Sequence, residues 1–311
     1  MNTFPNLRLL IPVVIWASIR TLSAEVVINE IMYHPPHPNQ SPEPRQEEFV
    51  ELHNTDPGNA VDLTGWSFTS GFTFTFPSVS IPAGGFLVVA SDPAGFAARY
   101  PGVTTTLVGP YTGRLSNSSE RIRLVDALGV EIDSVTYSHD GDWAMRRRGP
   151  LDQGHRGWIW QSLADGGGSS LELVNPMLSN KQGQNWLDSL AAGGSPGAVN
   201  SVASTDVPPF ISKVSHAPLV PTSLDLVVVR AELTDEQLTS ALSATVHYRI
   251  STGTPGAFTV LAMADDGLSG DDLPGDGVFA AALPAHADGT VIEFYIEAGD
   301  GTQIRTWPGP T

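Results

Sequence analysis

The densest run of chemically capable side chains is Asp265-Asp266-Gly267-Leu268-Ser269-Gly270-Asp271-Asp272-Leu273-Pro274-Gly275-Asp276-Gly277. Five carboxylates this close repel one another unless they are solvated or neutralised, and a hard cation with oxygen ligands neutralises them. Calcium is the candidate ion, and Asp265, Asp266, Asp271, Asp272 and Asp276 are the candidate ligands. The spacing does not fit the helix-loop-helix calcium pattern, and Asp-Gly pairs also serve as plain turns between strands. An exposed turn is therefore the competing reading.

Gly193-Gly194-Ser195-Pro196-Gly197 has the spacing of a nucleophile elbow, with Ser195 as the nucleophile. The residue after such a serine must offer a backbone N–H to the oxyanion, and Pro196 has none. A turn is the reading that remains, and no residue is assigned a catalytic role. His34 and His37, near Glu47 and Glu48, are a zinc-capable set, yet Pro35 and Pro36 hold that stretch extended, so the rings need not converge. Glu30 and Glu51 interrupt apolar strands, where a carboxylate is costly unless partnered. Arg121 and Arg123 are candidate ion-pair partners and loop amides are the other option. A calcium site shared with Asp62 or Asp142 is the sharper alternative. Trp143, Trp158 and Trp160 could stack on sugar rings, although core or edge packing is the commoner fate of tryptophan. Arg146-Arg147-Arg148 is the single basic run, suited to acidic polysaccharide, to trypsin-like cleavage or to a solvated loop.

The elements that must carry these residues alternate at period 2, the mark of half-buried strands. Strands are expected at 26–32, 48–53, 65–76, 86–90, 121–126 and 130–137, separated by turns such as Asp56-Pro57-Gly58-Asn59. Ser91-Asp92-Pro93 predicts a short helix over 92–100. Residues 144–200 read as looser and Gly-rich, with one apolar patch at 170–174. A polar connector, 201–207, and Pro208-Pro209 then mark a boundary. Seven strand-like runs follow in about 100 residues, the arithmetic of an immunoglobulin-like sandwich.

Composition agrees. Charged residues are 16% of 311, Gly and Pro number 31 and 25, and there is no cysteine. Long solvated helices, disulfides, thiol catalysis and thiolate metal sites are all excluded. A net charge of -17 with only two lysines makes the chain a poor partner for nucleic acid or anionic lipid. Residues 1–24 read as a signal peptide: Arg8, an apolar run from Leu9 to Ile19, and Ser23-Ala24 before Glu25. Eleven residues are too few to span a bilayer, which needs about 20. The mature chain is expected to be secreted or held in the cell envelope, with no membrane span and a net charge of -19 (-17 - 2) once Arg8 and Arg20 are removed.

Several motifs recur together in order. They are Val27-Ile28-Asn29-Glu30-Ile31, Glu47-Glu48-Phe49-Val50-Glu51-Leu52, Val61-Asp62-Leu63-Thr64-Gly65-Trp66, Ile81-Pro82-Ala83-Gly84-Gly85, Ser170-Leu171-Glu172-Leu173-Val174-Asn175-Pro176 and Gly194-Ser195-Pro196-Gly197-Ala198-Val199-Asn200. In these the stretch 25–200 resembles the lamin tail domain in its exported bacterial form. Residues 208–311, with Gly275-Asp276-Gly277-Val278-Phe279, resemble a bacterial immunoglobulin-like module of the kind found beside spore-coat-protein-H-type kinase domains. No phosphate loop with a following catalytic Asp is found in this sequence. The resemblance implies two immunoglobulin-like β-sandwiches in tandem after a signal peptide, an all-β protein with a binding or scaffold role and no catalytic residues. Its expected partner is a protein or polysaccharide at the cell surface. The alternatives are the accessory front of a larger kinase-like or hydrolytic enzyme, and a carbohydrate-binding module resting on the tryptophans.

Overall fold

In the strand Phe49–Asn54, Val50 and Leu52 enter one apolar core while Phe49 and Glu51 turn to the opposite face, as a period of two requires. The computed structural model describes residues 26–36, 46–152, 155–237, 241–251, 256–268 and 270–308. The signal-peptide segment, His37 and Ser269 lie outside the described residues. Phe49–Asn54 belongs to a six-stranded sheet ordered Trp186–Asp188, Leu171–Leu173, Val26–Met32, Phe49–Asn54, Phe86–Ala90, Thr106–Val108. Its pairs are antiparallel except the last. A five-stranded sheet faces it, ordered Glu131–Ser138, Ser119–Val125, Ser67–Ser70, Phe72–Thr75, Thr112–Gly113. Val50, Leu52, Leu87 and Val89 of the first meet Phe68, Ile122, Leu124 and Val135 of the second in one core.

The single strand expected at 65–76 forms two, because Gly71 turns the chain with φ +86°. The helix forms over Pro93–Arg99, where Asp92 Oδ1 accepts from Ala94 N at 3.0 Å and Pro93 opens the first turn. Its Phe96 covers Met32, Phe49, Val88 and Ala90 on the outer face of the six-stranded sheet. Residues 144–200 are more ordered than expected. Met145–Asp152 and His155–Gln161 pair as a ribbon that joins no other sheet, and Leu171–Leu173 and Trp186–Asp188 extend the main one.

The second module places Phe210–Ala217, Val227–Thr234 and Val278–Leu283 in one sheet. Thr259–Met263, Ser243–Ile250, Ile292–Gly299 and Ile304–Trp307 form the other. Val229, Ala231, Val246, Phe279 and Ile296 close the core between them. The protein is all-β, two immunoglobulin-like sandwiches in tandem. The connector ends on a buried Val207, packed with Val174 and Phe210. Gln184 also joins the modules, its side chain accepting from Ile211 N at 2.9 Å and donating to Ile211 O at 2.8 Å, as a neighbouring strand would.

Candidate functional site

Register puts Glu30 opposite Glu51 on one side and opposite Glu172 on the other, so three carboxylates form a row across three adjacent strands. All three are fully buried. Like charges directly opposite destabilise a sheet, so the row needs donors or protons. The donors come from the loop after Trp186–Asp188. Ser195 N reaches Glu30 Oε1 at 3.0 Å, Gly197 N reaches Glu51 Oε2, and Ser195 Oγ reaches Glu172 Oε1 at 2.7 Å. Ser170 Oγ adds a bond to Glu30 Oε1 at 2.6 Å, and Ser201 Oγ one to Glu172 Oε2 at 2.7 Å. Asn200 fastens the far end, bonding Asn29 and Leu173 O. Residues 193–202 thus form a strap over the sheet. It passes so close that a Cβ on Gly194 would lie 1.8 Å from Glu30 Oε1.

Two donors serve Glu30 Oε1, while Glu30 Oε2 has no hydrogen-bond partner. Burial, reinforced by the Glu51 charge, raises the Glu30 carboxyl well above the usual range, and burial pushes Glu51 up to about 8. Glu51 therefore holds a proton at neutral pH, and burial favours the protonated form of Glu30 as well. Ser195 is a strap residue whose hydroxyl is given to a carboxylate. The loop-amide option for Glu30 and Glu51 is the one adopted; the arginine option is not. Arg121 and Arg123 lie in the other sheet and both bridge Glu131, at 2.9 and 2.7 Å. Asp62 caps Thr64, and Asp142 accepts from Gln184, so neither joins the row.

The remaining sequence candidates are placed as follows. His34 Nδ1 meets Asp165 at 2.6 Å, Glu47 pairs with Arg99, and Glu48 is buried under Tyr111 and Leu115 N, so the described members of this set are each engaged elsewhere. In the aspartate loop one oxygen each from Asp265, Asp271 and Asp276 lies within 4.8 Å of the others. Asp265 accepts from the amides of Gly275, Asp276 and Gly277, and Asp271 from those of Gly267 and Leu273. Asp266 instead caps Leu268 N, and Asp272 pairs with Arg230 at 2.9 Å. The five ligand candidates therefore divide into three that converge and two that are engaged elsewhere.

A concave surface lies at the module junction, a cleft of about 580 Å³. Trp143, Trp160, Trp186 and Trp307 line it with Met145 and Leu187, and Asp142, Gln184, Arg146 and Arg305 supply polar edges. Arg305 Nη2 donates to Gln184 O and Pro208 O, and burial lowers its pKa to about 10. Trp158 is the exception among the candidate tryptophans. Arg146 and Arg148 lie over its ring at 4.3 and 5.0 Å, so its faces are already occupied. Sequence reading missed Trp186, Trp307 and Arg305, which come from segments without a shared local pattern.

Residues 20–139 match the Lamin Tail Domain family. The lamin tail domain match takes in Glu30, Glu48 and Glu51. Glu172 and the 193–202 strap that complete the row lie beyond it. No curated protein matches the chain. Among solved structures, an exo-chitosanase of Amycolatopsis orientalis in complex with PNP-beta-D-glucosamine aligns at 14% identity over 84% of this chain and 25% of its own. Its TM-score is 0.19, which carries no weight for fold or function. The chain spans about a quarter of that enzyme's length.

Proposed function

We propose that the chain is an exported, non-catalytic binding or scaffold protein at the cell surface, and that its ligand lies in the junction cleft. The observation that carries this reading is the convergence of four indoles from separate stretches of both modules on one concave surface. Apolar clefts with a few polar groups at the edge are the usual form of a ligand site. The buried carboxylates and Ser195 support a structural role, because the strap already occupies them. The signal-like residues 1–24 support export. Indole faces beside planar Arg and Gln side chains favour a polysaccharide over a protein as the ligand.

The test is titration of the full chain with soluble polysaccharides, read by tryptophan fluorescence, beside Trp307→Ala. Binding that weakens at least about tenfold in the variant, roughly 1.4 kcal/mol, supports the cleft. Binding unaffected by Trp307→Ala, or no binding across the panel, removes it. Recovery of the chain from cytosol rather than medium or envelope would remove the export claim. The alternative is the accessory front of a larger kinase-like or hydrolytic enzyme. It requires the coding sequence to continue into such a domain.

A further inference from the structure

Outside the aspartate loop, a second set of carboxylates meets where the connector joins the second module. Asp206 belongs to the connector, Asp235 and Glu236 follow the strand Val227–Thr234, and Asp300 follows Ile292–Gly299. One oxygen each from Asp206, Glu236 and Asp300 lies within 4.8 Å of the other two. Asp300 is only 6% exposed, and its two oxygens have different fates. Oδ1 accepts from Thr302 N, Thr302 Oγ1 and Gln303 N, whereas Oδ2 is shielded from water and has no partner. Asp235 Oδ2 and Glu236 Oε2 are likewise shielded from water, and the Asp235 and Glu236 side chains lie against each other. Among the described residues none of these four carboxylates makes an ion pair.

A bare, dehydrated Asp300 oxygen beside three further acids is costly unless a positive charge sits among them. We propose that Asp206, Asp235, Glu236 and Asp300 bind a calcium ion at the module junction. Oxygens that lie within 4.8 Å of one another can share one cation, and calcium, which takes six to eight oxygen ligands at ~2.3–2.6 Å in flexible geometry, suits such an irregular set. Water completes the coordination. Asp206 is already drawn to this place, since Gln303 Nε2 donates to its carbonyl at 2.6 Å. The ion therefore ties the connector to the second module and fixes where that module begins.

The test is calorimetric titration of the chelator-treated full chain with calcium chloride, for the wild type, Glu236→Gln, Asp206→Asn and Asp271→Asn. Asp206 is exposed, so its variant keeps the fold, and circular dichroism checks each protein. The expected result is calcium binding by the wild type and by Asp271→Asn, weakened at least about tenfold by Glu236→Gln and by Asp206→Asn. Absence of binding in the wild type overturns the proposal. Binding that survives Glu236→Gln and Asp206→Asn but is lost in Asp271→Asn also overturns it, and assigns the ion to the aspartate loop. The outcome is independent of whether the tryptophan cleft binds polysaccharide.

Discussion

Replacing Glu30 by Gln tests the reading of the buried carboxylate row. Both bonds that Glu30 receives end on Oε1, so a glutamine keeps them with its carbonyl and sets its NH₂ at the bare Oε2 position. The variant mimics the protonated acid. Because burial raises the folded-state pKa of Glu30 while the unfolded value stays ordinary, the native state holds a proton that the unfolded chain releases. That contribution is full below about pH 4.3 and is lost as pH rises toward the folded pKa. Each proton that the native state retains and the unfolded chain has released lowers stability by about 1.4 kcal/mol per pH unit, so wild-type stability falls through Glu30 as pH rises from 6 toward its folded pKa. Glu51, pushed up to about 8, adds a decline of the same sign. In Glu30→Gln the Glu30 share is gone, and the slope is shallower. Burial holds His53 below its ordinary value and gives the opposite trend, but His53 is common to both proteins and cancels. The assay is urea unfolding by tryptophan fluorescence at pH 6, 7 and 8. It reports the first module, which holds Trp66, Trp143, Trp158, Trp160 and Trp186 against Trp307 alone in the second. Equal slopes for the two proteins, or wild-type stability climbing with pH, would refute a protonated row.

Two further outcomes follow from the strap and the ribbon. Gly194 has φ +81°, and a Cβ would strike Glu30 Oε1 at 1.8 Å and Ser170 Oγ at 2.4 Å, so Gly194→Ala should destabilise the first module by more than about 3 kcal/mol in the same urea assay. Replacing residues 146–160 with a short Gly-Ser turn should change stability by no more than about 0.5 kcal/mol, because that ribbon joins no sheet. A larger loss would mean that the ribbon helps hold the core.

Strands whose two faces differ were legible in the sequence. Phe49–Asn54, Phe86–Ala90 and Val227–Thr234 alternate because one face meets a core, and each forms close to its expected place. Met145–Asp152 carried no such sign, since its Arg147, Arg148 and Pro150 stand in solvent and nothing selects a period. Glu30 and Glu51 could be recognised as buried acids needing partners. The partners could not be named, because the nearest arginines in sequence-pattern terms lie on the outside of the other sheet. The true donors, Ser195 and Gly197, sit in a stretch that reads as an ordinary turn. Five aspartates in the 265–276 run drew the eye by density within one loop. The Asp206, Glu236 and Asp300 group is spread over 95 residues and exists only once the second sandwich has closed.

The strap has a consequence for how the chain comes to be folded. The Ser195–Glu30 and Asn200–Asn29 contacts close loops of 165 and 171 residues, so the outer face of the main sheet is finished by nearly the last part of the module to be synthesised. A growing chain that has not reached residue 193 presents Glu30, Glu51 and, once made, Glu172 to water, where they ionise and repel a second unfinished sheet. The same three side chains that lie buried beneath the strap in the finished protein thus act earlier as gatekeepers against aggregation.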